Sequence, residues 1–409
     1  MFELQEQHRM VEKVFRAFAE KELLPKVEAF EKGEELPYDL MRKMMNSLGG
    51  GAMIKEAMLR RVEKMEAAQA GKEAKKAPED GAEALERDPL IPSLILKELS
   101  RVSPGYAMSW GASLGLCGQN IMNKGTPDQI RAYAIPVLSL EKIGAWALTE
   151  PGAGSDAFGA MQTTAKPQGD FYLLNGTKTF ITNAPYADVF LVYAKVDRGQ
   201  PKSEQPVQAF ILTRGMKGLS TGKPFEKMGM KDSPTGEVFL EDVEVPVENL
   251  LGGSEKQSMR DGAKESLGSE RSGVAPMCLG IIERCYELSL KYAKERVQFG
   301  KPIAEFQAIQ LKLADMYIHL QNTWNIVFRL AEMGRTGKRD TAFVCASKVY
   351  TARAAVEVAL SAIQIHGGYG YMKEYHVEKL MRDAKLLEIG AGTSDINALT
   401  TARLELGLA

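Results

Sequence analysis

The chain has 409 residues, a formal net charge of -1 and 44% hydrophobic residues. This length is enough for two or three compact cores, and the composition is that of an ordinary globular protein. The balanced charge and the lack of a basic block argue against a nucleic-acid partner, and the lack of about 18 uninterrupted apolar residues argues against insertion into a membrane.

The cysteines and histidines predict neither disulfide bonds nor a metal site. The four cysteines lack C-x-x-C spacing and are expected to be buried thiols of a reducing compartment: Cys117, Cys278, Cys285 and Cys345. The four histidines are scattered and form no H-x-H or H-x-x-x-H pair. The chain starts with a charged amphipathic stretch and lacks an apolar signal core, so we expect a cytoplasmic protein.

Helical periodicity dominates the first 143 residues. Residues 3–31 and 38–48 carry apolar residues at helical spacing, and the second stretch ends at three consecutive glycines. Helical patterns return at residues 92–102 and 107–123. The small residues in the last of these would let another helix or a substrate chain approach closely, although ordinary packing also explains them.

A charged segment, residues 55–88, interrupts this pattern. Seventeen of its 34 residues are charged, and most of the others are Ala or Gly. Such a segment cannot bury much apolar surface, so we expect it to contribute little to the stability of the core. We interpret it as an inserted helical excursion with a flexible middle near residues 71–81, and a partner-binding arm is the alternative.

After Gly144 the apolar pattern changes to a period of two, which is typical of strands. The dipeptide Asn175-Gly176 lies between two of the strand-like runs and predicts a β-hairpin turn. An antiparallel β domain is therefore expected over residues 144–255. The runs are residues 145–149, 160–165, 171–174, 177–182, 189–196, 207–213 and 236–246.

The remainder, residues 256–409, is predicted to be an antiparallel helical bundle, because long apolar periods of 3.6 residues are joined by short connections. Its predicted helices are residues 270–297, 304–334, 338–366 and 374–386, with one more after Ser394. The fold class is therefore α+β, in the order helical, β and helical.

Two stretches stand out as candidate cofactor motifs. Trp146–Asp156, W-A-L-T-E-P-G-A-G-S-D, begins as a strand and ends in a loop whose backbone N–H groups and hydroxyls can face a ligand, although a surface turn also fits its composition. Gln364–Tyr371 reads Q-I-H-G-G-Y-G-Y. The first stretch lies among antiparallel strands rather than in a βαβ unit, which argues against a nicotinamide-binding Rossmann fold.

Together these stretches resemble the two signatures of the acyl-CoA dehydrogenase family of flavoproteins, in the same order along the chain. The similarity extends from about residue 98 to the C-terminus and more loosely over the first 45 residues. It implies an N-terminal helical domain (1–143), a middle β domain (144–255) and a C-terminal helical bundle (256–409). It also implies FAD as cofactor, an acyl-CoA as substrate, electron-transfer flavoprotein as electron acceptor and a homotetramer.

The resemblance assigns a FAD site to both halves of the chain, with part of it supplied by a neighbouring subunit. It implies that Arg296 contacts the pyrophosphate, which suits a planar guanidinium that can make paired hydrogen bonds. The implied ring contacts are Trp146, Leu148, Thr149, Gly154, Ser155, Phe180 and Thr182. The implied contacts to the rest of the cofactor are Arg296, Gln298, Phe299, Phe306, Gln307, Gln364, Gly367, Gly368, Thr393 and Asp395.

The catalytic base departs from the commonest family pattern. Most members have Glu directly before Gly-Thr-Ser near the C-terminus, whereas this chain has Ala391 there. A minority, including the isovaleryl-CoA and long-chain acyl-CoA dehydrogenases, has Glu before an Arg on the first long C-terminal helix, where this chain has Glu270-Arg271. An exposed first-turn glutamate would explain Glu270 taken alone. The loss of the carboxylate at Ala391 makes Glu270 the predicted base, and Glu388 is the alternative.

The implied reaction is removal of the α proton of the thioester by Glu270 and transfer of the β hydrogen as hydride to the flavin, which gives a trans-2-enoyl-CoA. The Ala391 backbone N–H is expected to hold the thioester carbonyl. The implied substrate contacts are Ser155, Trp110, Arg271 and Gly392. Branched short, long, cyclic and aromatic acyl groups all stay open, and a related flavin oxidase or monooxygenase and a non-catalytic flavin-binding relative are the alternative functions.

Overall fold

The computed structural model describes residues 3–47, 50–69, 88–255, 259–338 and 340–408. The predicted order of helical, β and helical regions is confirmed. The first strand begins at Gly144 and the long C-terminal helix at Met259. The expected flexible middle near residues 71–81 lies outside the described residues. All four cysteines are buried, as predicted.

The N-terminal region is built from short helices with several local changes of helix type. Pro25 lies in one of these, where a π-helical turn at Ala19–Leu23 and a 3₁₀ turn at Leu24–Lys26 separate two α-helices. The α-helices are α1 (Glu6–Phe18), α2 (Val27–Lys32), α3 (Tyr38–Ser47), α4 (Gly50–Gln69), α5 (Leu90–Ser100), α6 (Pro104–Gly111), α7 (Gln119–Lys124), α8 (Pro127–Gln129) and α9 (Ile135–Leu138). None of the helices in the described ranges is both long enough and apolar enough to cross a bilayer.

Helix α4 corrects the expectation that the charged segment buries little. Val62 is fully buried, and Met58 and Met65 pack beside it against the cluster that contains Ile121 and Ile130. These apolar residues are spaced at 58, 62 and 65, so one face of the helix is apolar although the others are charged. One face of residues 55–69 therefore packs against the folded core.

The β domain is one seven-stranded sheet in the order β1-β4-β2-β3-β7-β6, with β5 also paired to β4. The prediction of a purely antiparallel sheet is wrong, because β4 pairs in parallel with both β1 and β2. An alternating pattern shows which face of a strand is buried but not its direction. The strands are β1 (Gly144–Ala147), β2 (Thr164–Gln168), β3 (Phe171–Thr182), β4 (Val189–Val196), β5 (Val207–Thr213), β6 (Leu219–Thr221) and β7 (Thr235–Pro246).

The predicted hairpin at Asn175-Gly176 is also wrong. Both residues lie inside β3, where the pairing with β7 shifts register between Leu174 and Gly176. Gly176 has φ 151°, and a Cβ there would collide with the Thr163 side chain. This glycine is therefore needed for a bulge and a close approach rather than for a turn.

The C-terminal domain packs helix α12 at its centre, against α10, α13 and α14. Buried alanines along α12, including Ala355, Ala359 and Ala362, allow the neighbouring helices to approach closely. The elements are α10 (Met259–Glu295), a small hairpin of β8 (Val297–Gln298) and β9 (Lys301–Pro302), α11 (Gln307–Thr336), α12 (Thr341–His366), α13 (Val377–Ile389) and α14 (Ser394–Glu405).

Buried ion pairs fasten the N-terminal helices to α10. Lys97 is 1% exposed, and its ammonium lies 2.9 Å from Glu98 and 3.0 Å from Glu283 of α10. Arg101 Nη1 lies 2.9 Å from the same Glu283 carboxylate. This network fixes the position of α10, the helix that carries Glu270.

Candidate active site

Glu270 lies well inside α10, which begins at Met259, so the alternative of a first-turn glutamate is wrong. Its side chain is partly buried and makes no hydrogen bond or ion pair with any other described residue. Burial raises the pKa of its carboxyl to about 7, while the positive charges of Arg271 and Lys348 act in the opposite direction. Near neutral pH this carboxyl can both take and release a proton.

The structure brings Ala391 next to the Glu270 helix. The Arg271 Nε donates to the Ala391 carbonyl at 3.3 Å. Arg271 Nη2 lies 3.6 Å from the position that a Cβ atom on Gly392 would occupy. Ala391 is 8% exposed and has φ 55°, a left-handed conformation that is uncommon for a residue with a side chain. Its N–H donates no hydrogen bond to a described residue, so the group is free for a ligand.

Asn397 of α14 holds the loop that carries Ala391. Its Nδ2 lies 2.8 Å from the Gly392 carbonyl and 3.0 Å from the Thr393 carbonyl. The Thr393 hydroxyl accepts from the Ile396 N–H at 3.2 Å and so caps α14, and Asp395 is exposed in the first turn. The flavin contacts predicted for these two residues stay predictions. Asn397 was not foreseen because its contacts depend on the shape of the loop.

The alternative base, Glu388, is already engaged. Its carboxylate pairs with Lys385 on the same helix, whereas its backbone carbonyl accepts from Lys348 Nζ at 2.9 Å. Lys348 itself is fully buried in α12. Lys348 is not among the predicted site residues, although a lysine within the apolar face of a helix is a signal that could have identified it.

Trp110 lies in α6, close to the Glu270 helix. Leu96 lies 3.9 Å from the Cβ position of Gly111 and 3.8 Å from that of Gly273, so α6 and α10 meet here. The Trp110 indole N–H is buried and has no hydrogen-bond partner in the ranges that the structure describes. The role of Trp110 in an acyl pocket stays a prediction.

Trp146 and the loop that follows it rest on a buried ion pair. Glu150 is 4% exposed and Lys178 of β3 is fully buried, with 2.8 Å between their charged atoms. Glu150 also accepts from the Gln162 N–H at 2.6 Å and the Thr163 N–H at 3.0 Å. Neither residue of this pair is foreseen from sequence, because 28 positions separate them.

The part of the loop that follows Ala153 is exposed to solvent. Gly154 and Ser155 are exposed, and a Cβ on Gly154 would meet no atom within 4 Å. Trp146 donates its indole N–H to the Tyr193 hydroxyl at 3.3 Å. This bond uses only the ring nitrogen, so the rest of the ring remains available for packing. Leu148 is 2% exposed, so only its backbone is available to a flavin, whereas Thr149 is partly exposed.

Phe180 has the features of a residue held in place for a ligand. It lies in the irregular part of β3 with φ 57°, and 69% of the residue is exposed. Its ring leans on Phe225 with centroids 5.7 Å apart, and Thr182 lies two positions further on in the same strand. An exposed aromatic ring on strained backbone suits stacking against an aromatic cofactor.

Several of the predicted contacts for the rest of the cofactor lie at the far end of α10, whereas Thr393 and Asp395 lie at the start of α14. A cleft of about 610 Å³ at this end of α10 is lined by residues of the C-terminal domain: Tyr292, Arg296, Gln298, Ile303, Ile365, His366, Gly367, Gly368, Tyr369 and Met372. Phe299 is 93% exposed and packs edge-on against Phe306. Gln307, the next residue, and Gln364, near the end of α12, are also exposed.

This cleft fits a dinucleotide pyrophosphate. The Arg296 guanidinium faces the Tyr369 ring at 5.6 Å and has no carboxylate partner within the described residues. Gly367 has φ 59°, and a Cβ on Gly367 or Gly368 would meet nothing within 4 Å, so the backbone is open to a ligand. An unpaired cation beside open backbone is a suitable site for phosphate oxygens.

Known proteins match this chain along most of its length. Family models match residues 145–243 as the acyl-CoA dehydrogenase middle domain and residues 261–405 as the acyl-CoA dehydrogenase C-terminal domain. The chain is 37% identical to the 3-(aryl)acrylate reductase of Clostridium sporogenes, over 97% of this chain and 98% of that protein. It is 36% identical to the caffeyl-CoA reductase-Etf complex subunit CarC of Acetobacterium woodii, over 98% of each.

A solved structure has the same fold over the whole chain. Butyryl-CoA dehydrogenase from Megasphaera elsdenii is similar with a TM-score of 0.84 and 34% identity, covering 99% of this chain and 100% of that one. The fold and the site together define a flavoprotein oxidoreductase. The chain belongs to the acyl-CoA dehydrogenase family, and it is an enzyme that acts on CH–CH bonds.

Proposed function

We propose that this enzyme dehydrogenates an acyl-CoA thioester and that Glu270 takes the α proton. The state of the Glu270 carboxyl carries the proposal: it is unpaired among the described residues, and burial raises its pKa to about 7. A general base works best when its pKa lies near the working pH. Arg271 supports the assignment because it ties the Glu270 helix to the Ala391 loop.

The Ala391 N–H is proposed to hold the thioester carbonyl. This donor is fixed before the reaction, because Arg271 binds the Ala391 carbonyl and Asn397 binds the carbonyls of Gly392 and Thr393. A fixed donor of this kind stabilises the developing enolate charge by about 3 to 4 kcal/mol. Gly392 has no side chain to obstruct the thioester, and Ser155 and Trp110 are the proposed contacts on the other sides.

FAD is the proposed cofactor, and when bound it accepts the β hydrogen as a hydride. Phe180, Thr182 and the loop at Gly154 and Ser155 would hold its ring, and Arg296 its pyrophosphate. The cleft beside Arg296 is lined by C-terminal residues alone, whereas the ring contacts belong mainly to the β domain. We therefore propose that two subunits share each FAD site within a homotetramer.

Exposed apolar residues on the C-terminal helices support an assembly of several copies. Leu311 and Ile318 of α11 are 67% and 54% exposed, and Leu360 of α12 is 51% exposed. Burying such residues between subunits is favourable, at about 25 cal/mol for each Å² of apolar surface. The proposed tetramer thus covers surface that a monomer would expose to water.

Electron-transfer flavoprotein is the proposed redox partner, because the Acetobacterium woodii relative is named as a subunit of a complex with Etf. A second candidate is the reverse direction, the reduction of an aryl-2-enoyl thioester, since two relatives are named as reductases of an arylacrylate and of caffeyl-CoA. A group that removes an α proton also returns it, so the same residues serve both directions.

The test is anaerobic titration of the FAD-loaded protein with branched short-chain, long-chain, cyclic and arylpropionyl-CoA thioesters. Bleaching of the flavin by one of them, with a trans-2-enoyl-CoA as product, is the expected result. Reoxidation of the reduced protein by aryl-2-enoyl-CoA would favour the reductive direction. A product formed only with oxygen would indicate an oxidase or monooxygenase, and no response to any thioester would indicate a non-catalytic relative.

A further inference from the structure

Lys348 differs from the other deeply buried lysines of this chain. Four lysines in the described ranges are at most 2% exposed, and three of them have a carboxylate oxygen within 3.0 Å: Lys97, Lys178 and Lys379. Lys348 has no carboxylate within 4 Å among the residues that the structure describes. Burying an ammonium group is costly unless it is paired, so an unpaired one needs an explanation.

The hydrogen bond that Lys348 does make leads to the candidate active site. Its Nζ donates to the Glu388 carbonyl at 2.9 Å, in the last turn of α13. The carbonyls at the C-terminal end of a helix carry partial negative charge, and a cation there stabilises the helix end. The chain continues directly from this end into the loop of Ala391 and Gly392.

Lys348 also faces the Glu270 helix. The charged and titratable groups around it are Glu270, Arg271 and Cys278 of α10 and Glu388 of α13. Cys345, one turn earlier on α12, lies 3.7 Å from Arg271 Nη1, which places this face of α12 against the Glu270-Arg271 pair. Lys348 therefore lies on the side of α12 that meets the Glu270-Arg271 pair, and it binds the helix end that leads into the loop of Ala391.

We propose that Lys348 is a positioning residue, whose ammonium holds the loop of Ala391 by binding the end of α13 and favours the ionised form of Glu270. This inference rests on the proposed function. A purely structural lysine would matter only for folding, whereas a positioning lysine also affects the proton transfer. An apolar residue of the same length would fill the space without the cost of burying a charge.

The pH dependence distinguishes these roles. Burial lowers the pKa of Lys348 to about 8 and raises that of Glu270 to about 7. The reaction needs Glu270 without its proton and Lys348 with its proton, so the rate should rise through about pH 7 and fall above about pH 8. Of the other groups near Lys348, burial raises the pKa of Cys278 to about 12, which lies above this range.

The experiment compares Lys348→Met and Lys348→Arg by anaerobic single-turnover reduction of the FAD-loaded enzyme, from about pH 6 to 10. Lys348→Arg should keep the acidic limb and lose the alkaline one, because arginine does not titrate there. Lys348→Met should lower the rate at least about tenfold and move the acidic limb to higher pH. The carbonyl stretch of bound acyl-CoA should also shift to higher frequency in Lys348→Met, as the Ala391 N–H contact loosens.

Lys124→Met is the matched control. Lys124 is a partly buried lysine that donates to the Gly262 carbonyl of α10 at 2.7 Å, so the change removes a similar bond on the same helix as Glu270. Its pH profile should coincide with that of the wild type. This control separates the loss of a lysine–carbonyl hydrogen bond in general from the loss of Lys348.

A Lys348→Met enzyme with the wild-type pH profile and carbonyl frequency would overturn the inference. If Lys348→Met does not fold, an unchanged alkaline limb in Lys348→Arg would overturn it equally. The same measurements on Glu270→Gln show whether the inference about Lys348 or the proposed function itself has failed. A wild-type rate in Glu270→Gln would remove Glu270 as the base, whereas an inactive Glu270→Gln with normal Lys348 variants would remove only the role of Lys348.

Discussion

The Glu270 carboxyl is the group on which the proposed proton transfer depends. Replacing it in Glu270→Gln keeps the shape but removes the ability to accept a proton, so flavin reduction by the best acyl-CoA should fall by about 10²- to 10⁴-fold. The bound FAD and the affinity for acyl-CoA should change little. Stopped-flow absorbance at the flavin band measures the rate, and equilibrium titration measures the binding.

A second carboxylate should restore part of this rate. Adding Ala391→Glu to Glu270→Gln puts a base where most family members have one, in a loop that already has a left-handed backbone. Recovery will be limited because Ala391 is 8% exposed and the surroundings fit a methyl group. If Glu270→Gln alone reduced its flavin at the wild-type rate, Glu388 would be the next residue to test as the base.

Glu270 should also limit the stability of the fold at alkaline pH. Burial raises the pKa of Glu270 to about 7 in the folded chain, above the ordinary value of 4.5, so the folded state binds this proton more tightly than the unfolded state. The ionised group therefore destabilises the fold increasingly as the pH rises from 4.5 to 7, and this cost persists above 7. Glu270→Gln should melt at a higher temperature than the wild type at pH 8, and the difference should shrink toward pH 5. An equal difference at both pH values would contradict this account.

The site residues show how far the sequence could lead at this scale. Glu270, Arg271 and Ala391 are predicted from two short motifs, and the structure brings Arg271 into contact with Ala391. Lys348 and Asn397 could not be assigned in the same way. Their roles depend on contacts with backbone carbonyls of loops and helix ends, and such contacts leave no spacing pattern in the sequence.

Among the elements, helix α4 shows how a charged segment can still contribute to the core. Val62→Ala should destabilise the protein by about 1 to 3 kcal/mol, because it removes buried methyl groups and leaves a cavity under the helix. Met53→Ala on the same helix is the control, since Met53 is 57% exposed and should tolerate the change. The comparison is made by thermal melting of both FAD-loaded variants. Equal melting temperatures would mean that α4 is a peripheral insertion that contributes little to the core.

The strands were predictable in position but not in partnership. Runs of apolar residues locate β3, β4, β5 and β7, yet the parallel pairing of β1 with β4 depends on how distant segments meet. Asn175-Gly176 has the composition of a tight turn, and the same freedom of glycine at positive φ serves a bulge inside β3. Local composition therefore indicates that the backbone is irregular there without indicating which irregularity occurs.

At the scale of the whole molecule, the two parts of the proposed FAD site lie on different domains. The open loop at Ser155 and the exposed Phe180 ring belong to the β domain, and the cleft beside Arg296 belongs to the C-terminal domain. In a dimer with twofold symmetry, the β-domain part of each subunit would face the C-terminal cleft of its partner. One interface would then complete two FAD sites. The exposed apolar residues of α11 and α12 provide surface for such interfaces.

Mixed assemblies test this arrangement. Glu270→Gln leaves the Arg296 cleft intact, and Arg296→Gln leaves the Glu270 helix intact, so each variant alone should be inactive for a different reason. If one subunit supplies Glu270 and its neighbour supplies Arg296, a mixed pair contains one site with both residues intact and one with neither. Random mixing in equal amounts should then restore about a quarter of the wild-type rate, because about half of the pairs are mixed and one of their two sites works. Co-expression with two different affinity tags isolates the mixed assemblies, and flavin content and reduction by acyl-CoA are the measurements. An isolated mixed assembly with no activity would mean that Glu270 and Arg296 serve the same site within one chain, because both of its sites would then be defective.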